Sequence, residues 1–280
     1  MNKKLFLSFL LILLFCVSTN LAQINEQNIP YKDGESLTYE GKFKKLGFAF
    51  SIAEINFTVS KSPEAADYLV KSEAKSKGTL TKLFNFEFFQ LYKSTVDSEK
   101  LQILETTKRD EQGDRIRDSK ADFNYINRKV TYVETDPKDA ARPPRIIAST
   151  IVSDMQDVVS AVYRLRSMPL AVGKNFVMKI SDSGLVYDIP VKITAREKVG
   201  SILGKKWCWR VEPEIFGDGR FIEQKGSLTI WITDDQARLP IRAELETKLG
   251  DVNIKLKKIQ TKDLNVEDDG KSEDNDENEK

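Results

Sequence analysis

The sequence predicts a mainly β protein: an antiparallel sheet curved into a half-closed barrel of about 11–13 strands, with one central amphipathic helix at about 153–167. Three observations predict it. Segments with alternating apolar and polar residues recur along most of the chain, polar turn sequences of hairpin length link them, and one segment breaks to helical spacing. A dozen antiparallel strands exceed the roughly ten that an open twisted sheet holds without curling, so closure or near-closure follows.

Taken in order, the first strand is expected over Glu35 to Gly41, where Leu37 and Tyr39 alternate with polar neighbours. Lys42 to Leu46 leads into a long run, Gly47 to Ser60. In that run Phe48, Phe50 and Ile52 share one face and Ile55, Phe57 and Val59 the other. Side chains alternate with a period of two, so this change of phase predicts a bulge or bend. Further strands are expected at Asp67 to Lys75, Phe86 to Asp97, Leu101 to Lys108, Arg115 to Tyr125 and Lys129 to Glu134. Asp136 to Pro144 carries three prolines and reads as a loop. The second half continues with Asn175 to Ile180, Leu185 to Glu197, Lys205 to Phe216, Gly226 to Thr233, Leu239 to Thr247 and Asp251 to Gln260. Links such as Asp182-Ser183-Gly184 and Gly217-Asp218-Gly219 are short enough for an antiparallel meander.

The helix is expected over Ser153 to Ser167. Ser153 with Gln156 three residues later forms a capping-box pattern, and Met155, Val158, Val159, Val162, Tyr163 and Arg166 fall on one helical face. Arg164 and Arg166 suit the negative end of the helix, and Pro169 stops it. It separates the strands into two groups and is placed to cover or fill the barrel.

Residues 1–22 read as a secretory signal. Lys3 and Lys4 precede the apolar run Leu5 to Val17, and cleavage is expected after Ala22. The run falls short of the roughly 20 apolar residues that span a bilayer, so no transmembrane span is expected in the mature protein and a periplasmic location is. Residues 23–266 form one β-rich domain, and 267–280, acidic and free of apolar side chains, a disordered tail. The body between Gln23 and Val266 carries 40 basic and 35 acidic side chains. That excess is too small to argue nucleic acid and permits at most a weak preference for anionic head groups.

The chain has two cysteines and no histidine. An imidazole base, a Ser-His-Asp or Cys-His triad and a His-containing zinc site are thereby excluded. Cys16 leaves with the leader, so Cys208 is left without an internal disulfide partner and reads as a buried thiol. Carboxylates are the remaining acid–base candidates. Asp234-Asp235 reads as a hairpin turn, and Glu212 and Glu214 flank Pro213 on one strand. No catalytic residue, metal ligand or cofactor is assigned. Trp207 and Trp209 share a strand face and, with Trp231, read as core. The apolar segment Leu83 to Tyr92 reads as a doubly buried strand or as the lining of a lipid cavity.

Gly34-Glu35-Ser36-Leu37-Thr38-Tyr39, Asp157 to Arg166 followed by Pro169-Leu170 and Gly173, Arg196-Glu197, and Leu228-Thr229-Ile230-Trp231-Ile232-Thr233-Asp234-Asp235 with Arg238 and Pro240 occur in that order. The pattern resembles the domain of unknown function 3108 family of exported bacterial proteins. The resemblance implies a fold over nearly all of residues 30–260 and no catalytic residue. The Trp231 hairpin is also similar to those of periplasmic lipoprotein-carrier proteins, which implies a half-closed barrel over an apolar cavity. The leading expectation is an exported, non-enzymatic protein that binds a lipid or lipoprotein acyl chain or assists envelope assembly. Phe84, Phe86 and Phe88, with Met155, Val159 and Val162, are the expected ligand contacts. The alternative is a packed barrel that binds an envelope protein or polysaccharide, and the third reading is a carboxylate-dependent hydrolase.

Overall fold

A computed structural model describes residues 30–268 except 46, 63, 64, 66, 79–81, 83–86, 249 and 263. The expected leader, Phe84, Phe86 and most of the expected tail lie outside the described residues.

Two antiparallel meanders share one sheet. The first comprises β1 (Ser36–Lys45), β2 (Phe48–Lys61), β3 (Tyr68–Ser76), β4 (Phe88–Val96), β5 (Ile103–Gln112), β6 (Arg115–Asn124), β7 (Lys129–Thr135) and β8 (Arg145–Thr150). After a two-residue strand β9 (Met155–Gln156) and the helix α1 (Val158–Ser167), the second comprises β10 (Asn175–Asp182), β11 (Leu185–Val199), β12 (Lys206–Pro213), β13 (Gly226–Thr233), β14 (Pro240–Thr247) and β15 (Gly250–Gln260), with a short β16 (Asn265–Glu267) beside β15. Antiparallel pairing of β1 with β15 joins the meanders, so the sheet runs from β8 through β1 and β15 to β9. Among the described residues the result is the curved, half-closed barrel with one named helix that the sequence predicts.

The predicted bulge lies in β2. Gly41 pairs with Ala53 and Lys42 with Ser51, so Ile52 is the extra residue, between the two faces that the sequence pattern distinguishes. β8 and β16 have no counterpart among the expected strands. β8 follows Pro143-Pro144 as an edge strand with Ile146 64% exposed, so it lacks the buried alternation that marks an inner strand. Glu267, placed in the tail by composition, belongs to β16.

β8, at one end of the sheet, is tied without a strand ladder to the β10–β11 turn near the other end. Ser149 Oγ donates to the Gly184 carbonyl (2.6 Å), which binds β8 to the β10–β11 turn. Gly184 has φ +78°, and a Cβ there would lie 2.7 Å from Tyr132 Cβ and 2.9 Å from Ile147 Cβ. Only glycine allows so close an approach at that dihedral angle. Gly184→Ala is expected to cost about 2–4 kcal/mol, from a left-handed Cβ and overpacking together. Urea unfolding measures it, and a loss below about 0.5 kcal/mol would show that the seam yields freely.

The helix starts later than its spacing predicts. Ser153 and Asp154 form a turn in which Asp154 has φ +63°, and Met155 and Gln156 pair in parallel with Lys179 and Ile180 of β10. A left-handed residue cannot continue a right-handed helix, so the Ser153/Gln156 capping box gives way to one formed by Asp157 and Ser160. The end is as expected, with Arg164 and Arg166 in the last turn and Met168 extended before Pro169.

Opposite sides of α1 serve the two meanders. Val159 and Tyr163, with Met155, join the core cluster of Val70, Ile103 and Val130, whereas Ala161 and Leu165 join Ile189, Val191 and Ile193. A third cluster, around Leu37, Tyr39, Ile241 and Leu256, packs along the β1–β15 junction. The helix is therefore a wedge between two half-sheets rather than a lid, and its stability comes from burial on both sides.

Candidate functional site

Of the residues expected to contact a ligand, Met155 (0% exposed) and Val159 (4% exposed) lie inside the first core cluster. Val162 and Phe88 are half-buried, Phe88 being the first residue of β4. Beside the helix the space is filled by rings. Tyr31 stacks on Tyr68 and on Tyr163 with centroids 5.1 and 5.2 Å apart, and Phe57 meets Tyr163 edge-on at 6.3 Å.

The N-terminus of α1 is held by a buried hub. Asp157 Oδ1 accepts from the backbone N–H groups of Val159 (3.1 Å) and Ser160 (2.7 Å), while Oδ2 accepts from Ser94 Oγ (2.5 Å) and Thr106 Oγ1 (2.6 Å). One carboxylate thus caps the helix and ties it to β4 and β5. Next to it, where the β10–β11 turn meets β4 to β7, lies a cleft lined by Tyr92, Lys108, Ser119, Tyr132, Ser181 and Ser183, with free space of about 20 Å³. That is room for one water or one hydroxyl group. Lys108 Nζ sits 4.8 Å from the Tyr92 ring centre. Burial, and after it the carboxylates Asp182 and Asp157, push the Tyr92 hydroxyl well above its ordinary pKa, and burial raises that of Tyr132. The cleft therefore offers buried hydroxyls, the Lys108 amine and the carboxylates of Asp157 and Asp182, of which Asp157 is already engaged by four hydrogen bonds.

Ser181 is 4% exposed and its hydroxyl has no partner in the structure. Ser181→Ala is expected to leave the thermal midpoint unchanged or raise it, by up to about 1 kcal/mol in stability, because it removes a buried unpaired group. A loss above about 1 kcal/mol would show that the hydroxyl is bonded in solution.

The carboxylate candidates are engaged elsewhere. Asp235 accepts from Thr233 Oγ1 (2.8 Å) and from the backbone N–H of Ala237 (3.1 Å), the local turn role expected of it, and Asp234 accepts from Arg196 Nε (2.6 Å). Glu212 pairs with Arg210, and Glu214 with Lys192 and Arg220. Among the described residues no group of His, Cys, Asp and Glu side chains is placed to hold a metal ion. Cys208 is fully buried, and burial, then the carboxylates Asp235, Glu197 and Asp234, push its thiol up to about 12. Trp231 is in the core as expected (7% exposed) and half-buried Trp209 packs against the core cluster of Ile189, Val191 and Ile193, but Trp207 is 44% exposed, with Arg196 and Lys198 over its ring.

The sequence reading missed the buried pair of Arg166 and Glu35, each side chain 1% exposed, with Nη1 to Oε1 at 2.5 Å and Nη2 to Oε2 at 2.9 Å. A signal was present. Arg166 falls on the apolar face of the predicted helix, where a guanidinium needs a buried acceptor.

Acidification acts through carboxylates held below their ordinary range, of which Asp110 and Glu40 are the more buried. Burial would raise Asp110, but donation from Gln90 (2.8 Å) and Arg115 (2.5 Å) outweighs it and holds the carboxyl below its ordinary range; at Glu40 burial is likewise outweighed by Lys77 and Ser51. A lowered folded-state pKa stabilises fully above the unfolded value, near pH 4, and that contribution is lost as pH falls through the folded value. No histidine is present. The thermal midpoint is therefore expected to be level between about pH 5.5 and 8 and to fall below about pH 4.5. A midpoint that moves between pH 6 and 7 by calorimetry would contradict this.

The family model described as "Protein of unknown function (DUF3108)" matches residues 37–257. No curated protein matches the chain. Among solved structures, the chain is similar to a β-barrel-like protein of domain of unknown function DUF1849 from Brucella abortus. The TM-score is 0.57 at 10% identity, over 82% of this chain and 98% of that one. A DUF1089 family protein from Pseudomonas aeruginosa aligns at a TM-score of 0.37 and 11% identity, over 71% of this chain and 92% of that one.

Proposed function

The chain belongs to the DUF3108 family, and from this membership and its wedge-filled, barrel-like fold we propose an exported, non-enzymatic binding scaffold of the cell envelope. Its partner is an envelope protein or polysaccharide that meets the outer surface. One observation carries this reading: α1 packs on both sides, and Met155 and Val159 lie within the first core cluster. Two others support it. The seam cleft has room for a single hydroxyl rather than an acyl chain, and the carboxylate pairs are bound to turns and cations. The leader pattern at residues 1–22 supports export, and no helix among the described residues is long and apolar enough to cross a membrane.

Native mass spectrometry of protein purified gently from the envelope tests the reading. The expected result is the protein mass alone, with no uptake of a fluorescent fatty acid. A lipid-sized mass increment, with displacement of the fatty-acid probe by that lipid, would overturn it and restore a lumenal acyl site at Phe88 and Val162.

A further inference from the structure

The β11–β12 hairpin carries a strip of alternating rings and cations. Lys198 stands opposite Trp207 and Arg196 opposite Trp209. The Arg196 guanidinium lies 4.5 Å from the Trp207 ring centre and 5.8 Å from that of Trp209, and Lys198 Nζ lies 5.3 Å from the Trp207 ring. Trp207 is thus clasped by two cations yet remains 44% exposed. Asp234 holds Arg196 through Nε, which orients the guanidinium. The adjacent acid, Glu197, accepts instead from Trp231 Nε1 at 2.5 Å. No described carboxylate pairs with Lys198, or with Lys205 at the exposed tip of the hairpin.

We propose that this strip docks the protein on an anionic phospholipid surface, with the Trp207 indole in the head-group layer and Lys198, Lys205 and Arg196 against the phosphates. An exposed indole has an apolar body and a polar N–H, the combination that settles at a membrane–water interface. Unpaired lysines beside it are drawn to anionic head groups, with roughly a fivefold gain in partition for each. An acidic protein would satisfy the lysines but give an isolated, half-exposed indole no apolar layer to enter. Docking through one ring and three cations is peripheral and reversible, and it is independent of whether the barrel interior is packed.

The test is co-sedimentation of the purified protein with vesicles containing phosphatidylglycerol and with vesicles of phosphatidylcholine alone, read together with tryptophan fluorescence. Binding is expected to the anionic vesicles only, with a blue shift and with loss at raised salt. Trp207→Ala is expected to abolish the blue shift, and Lys198→Glu to weaken partition more than roughly fivefold, since it replaces attraction by repulsion. Lys198 is exposed, so the second variant leaves folding intact even if the first does not. Equal binding to neutral vesicles, no binding, or unchanged binding of Lys198→Glu would overturn the proposal. Competition by inorganic phosphate at matched concentration would also overturn it, by making the strip a free-anion site, as would equally tight binding to polyglutamate, by making it an acidic-protein site.

Discussion

Arg166→Met is expected to destabilise the protein by about 3–5 kcal/mol, because it leaves the Glu35 carboxylate buried without its cation. The pair links positions 131 residues apart, and Arg166 Nη2 also donates to the Ala237 carbonyl at 3.1 Å. Arg238 in turn donates to the carbonyls of Arg166 and Met168. The last turn of α1 is therefore bound at once to the entry of β1 and to the β13–β14 turn, so losing the guanidinium loosens the wedge where the two meanders join. Chemical denaturation measures the loss. In the double variant Glu35→Leu with Arg166→Met, most of the loss is expected to return, since an apolar pair of similar volume carries no desolvation penalty. Losses that simply add in the double variant would show that the two residues do not act as a unit.

The second large effect is at the opposite end of the helix. Asp157→Ala is expected to cost about 3–4 kcal/mol, because it removes an N-cap, worth about 1–2 kcal/mol, and leaves the buried hydroxyls of Ser94 and Thr106 without their charged acceptor. Ser94 is 0% and Thr106 9% exposed, and the neighbouring cleft, which Thr106 lines, has room for one water at most. Asp157→Asn keeps a capping oxygen and is expected to lose roughly half as much. Hydrogen exchange distinguishes local from global loss: faster exchange is expected first at the N–H groups of Val159 and Ser160, which Asp157 caps. Unchanged protection there would show that the cap is dispensable. A helix fixed at both ends by buried charge suits a scaffold better than a carrier, whose covering helix must move to admit cargo.

What was legible in the sequence followed from period. The strand at Gly226–Thr233 appears with the boundaries that alternation predicts, and the β2 bulge falls between the two apolar phases that announce it. Where a segment's conformation depends on distant partners, local pattern failed. Ser153-x-x-Gln156 has the form of a capping box, yet Met155 and Gln156 are taken by β10, and Asp157 is chosen as the cap because Ser94 and Thr106, far away in the chain, hold its second oxygen. Trp207 and Trp209 share a face in both readings. Trp209 packs against a core cluster, whereas Trp207, where Arg196 and Lys198 take the place of apolar cover, stays outside.

Legible from composition and from periods of two and 3.6 residues were the antiparallel β class, a helix between two strand groups, the absence of imidazole chemistry and the weakly basic body. It took the tertiary structure to show that the helix is a wedge rather than a lid, that Arg166 finds Glu35, that Gly184 lets β8 approach the β10–β11 turn and that Trp207 stays outside. Each of these is a contact between residues remote in the chain, and local periodicity carries no information about which remote groups meet.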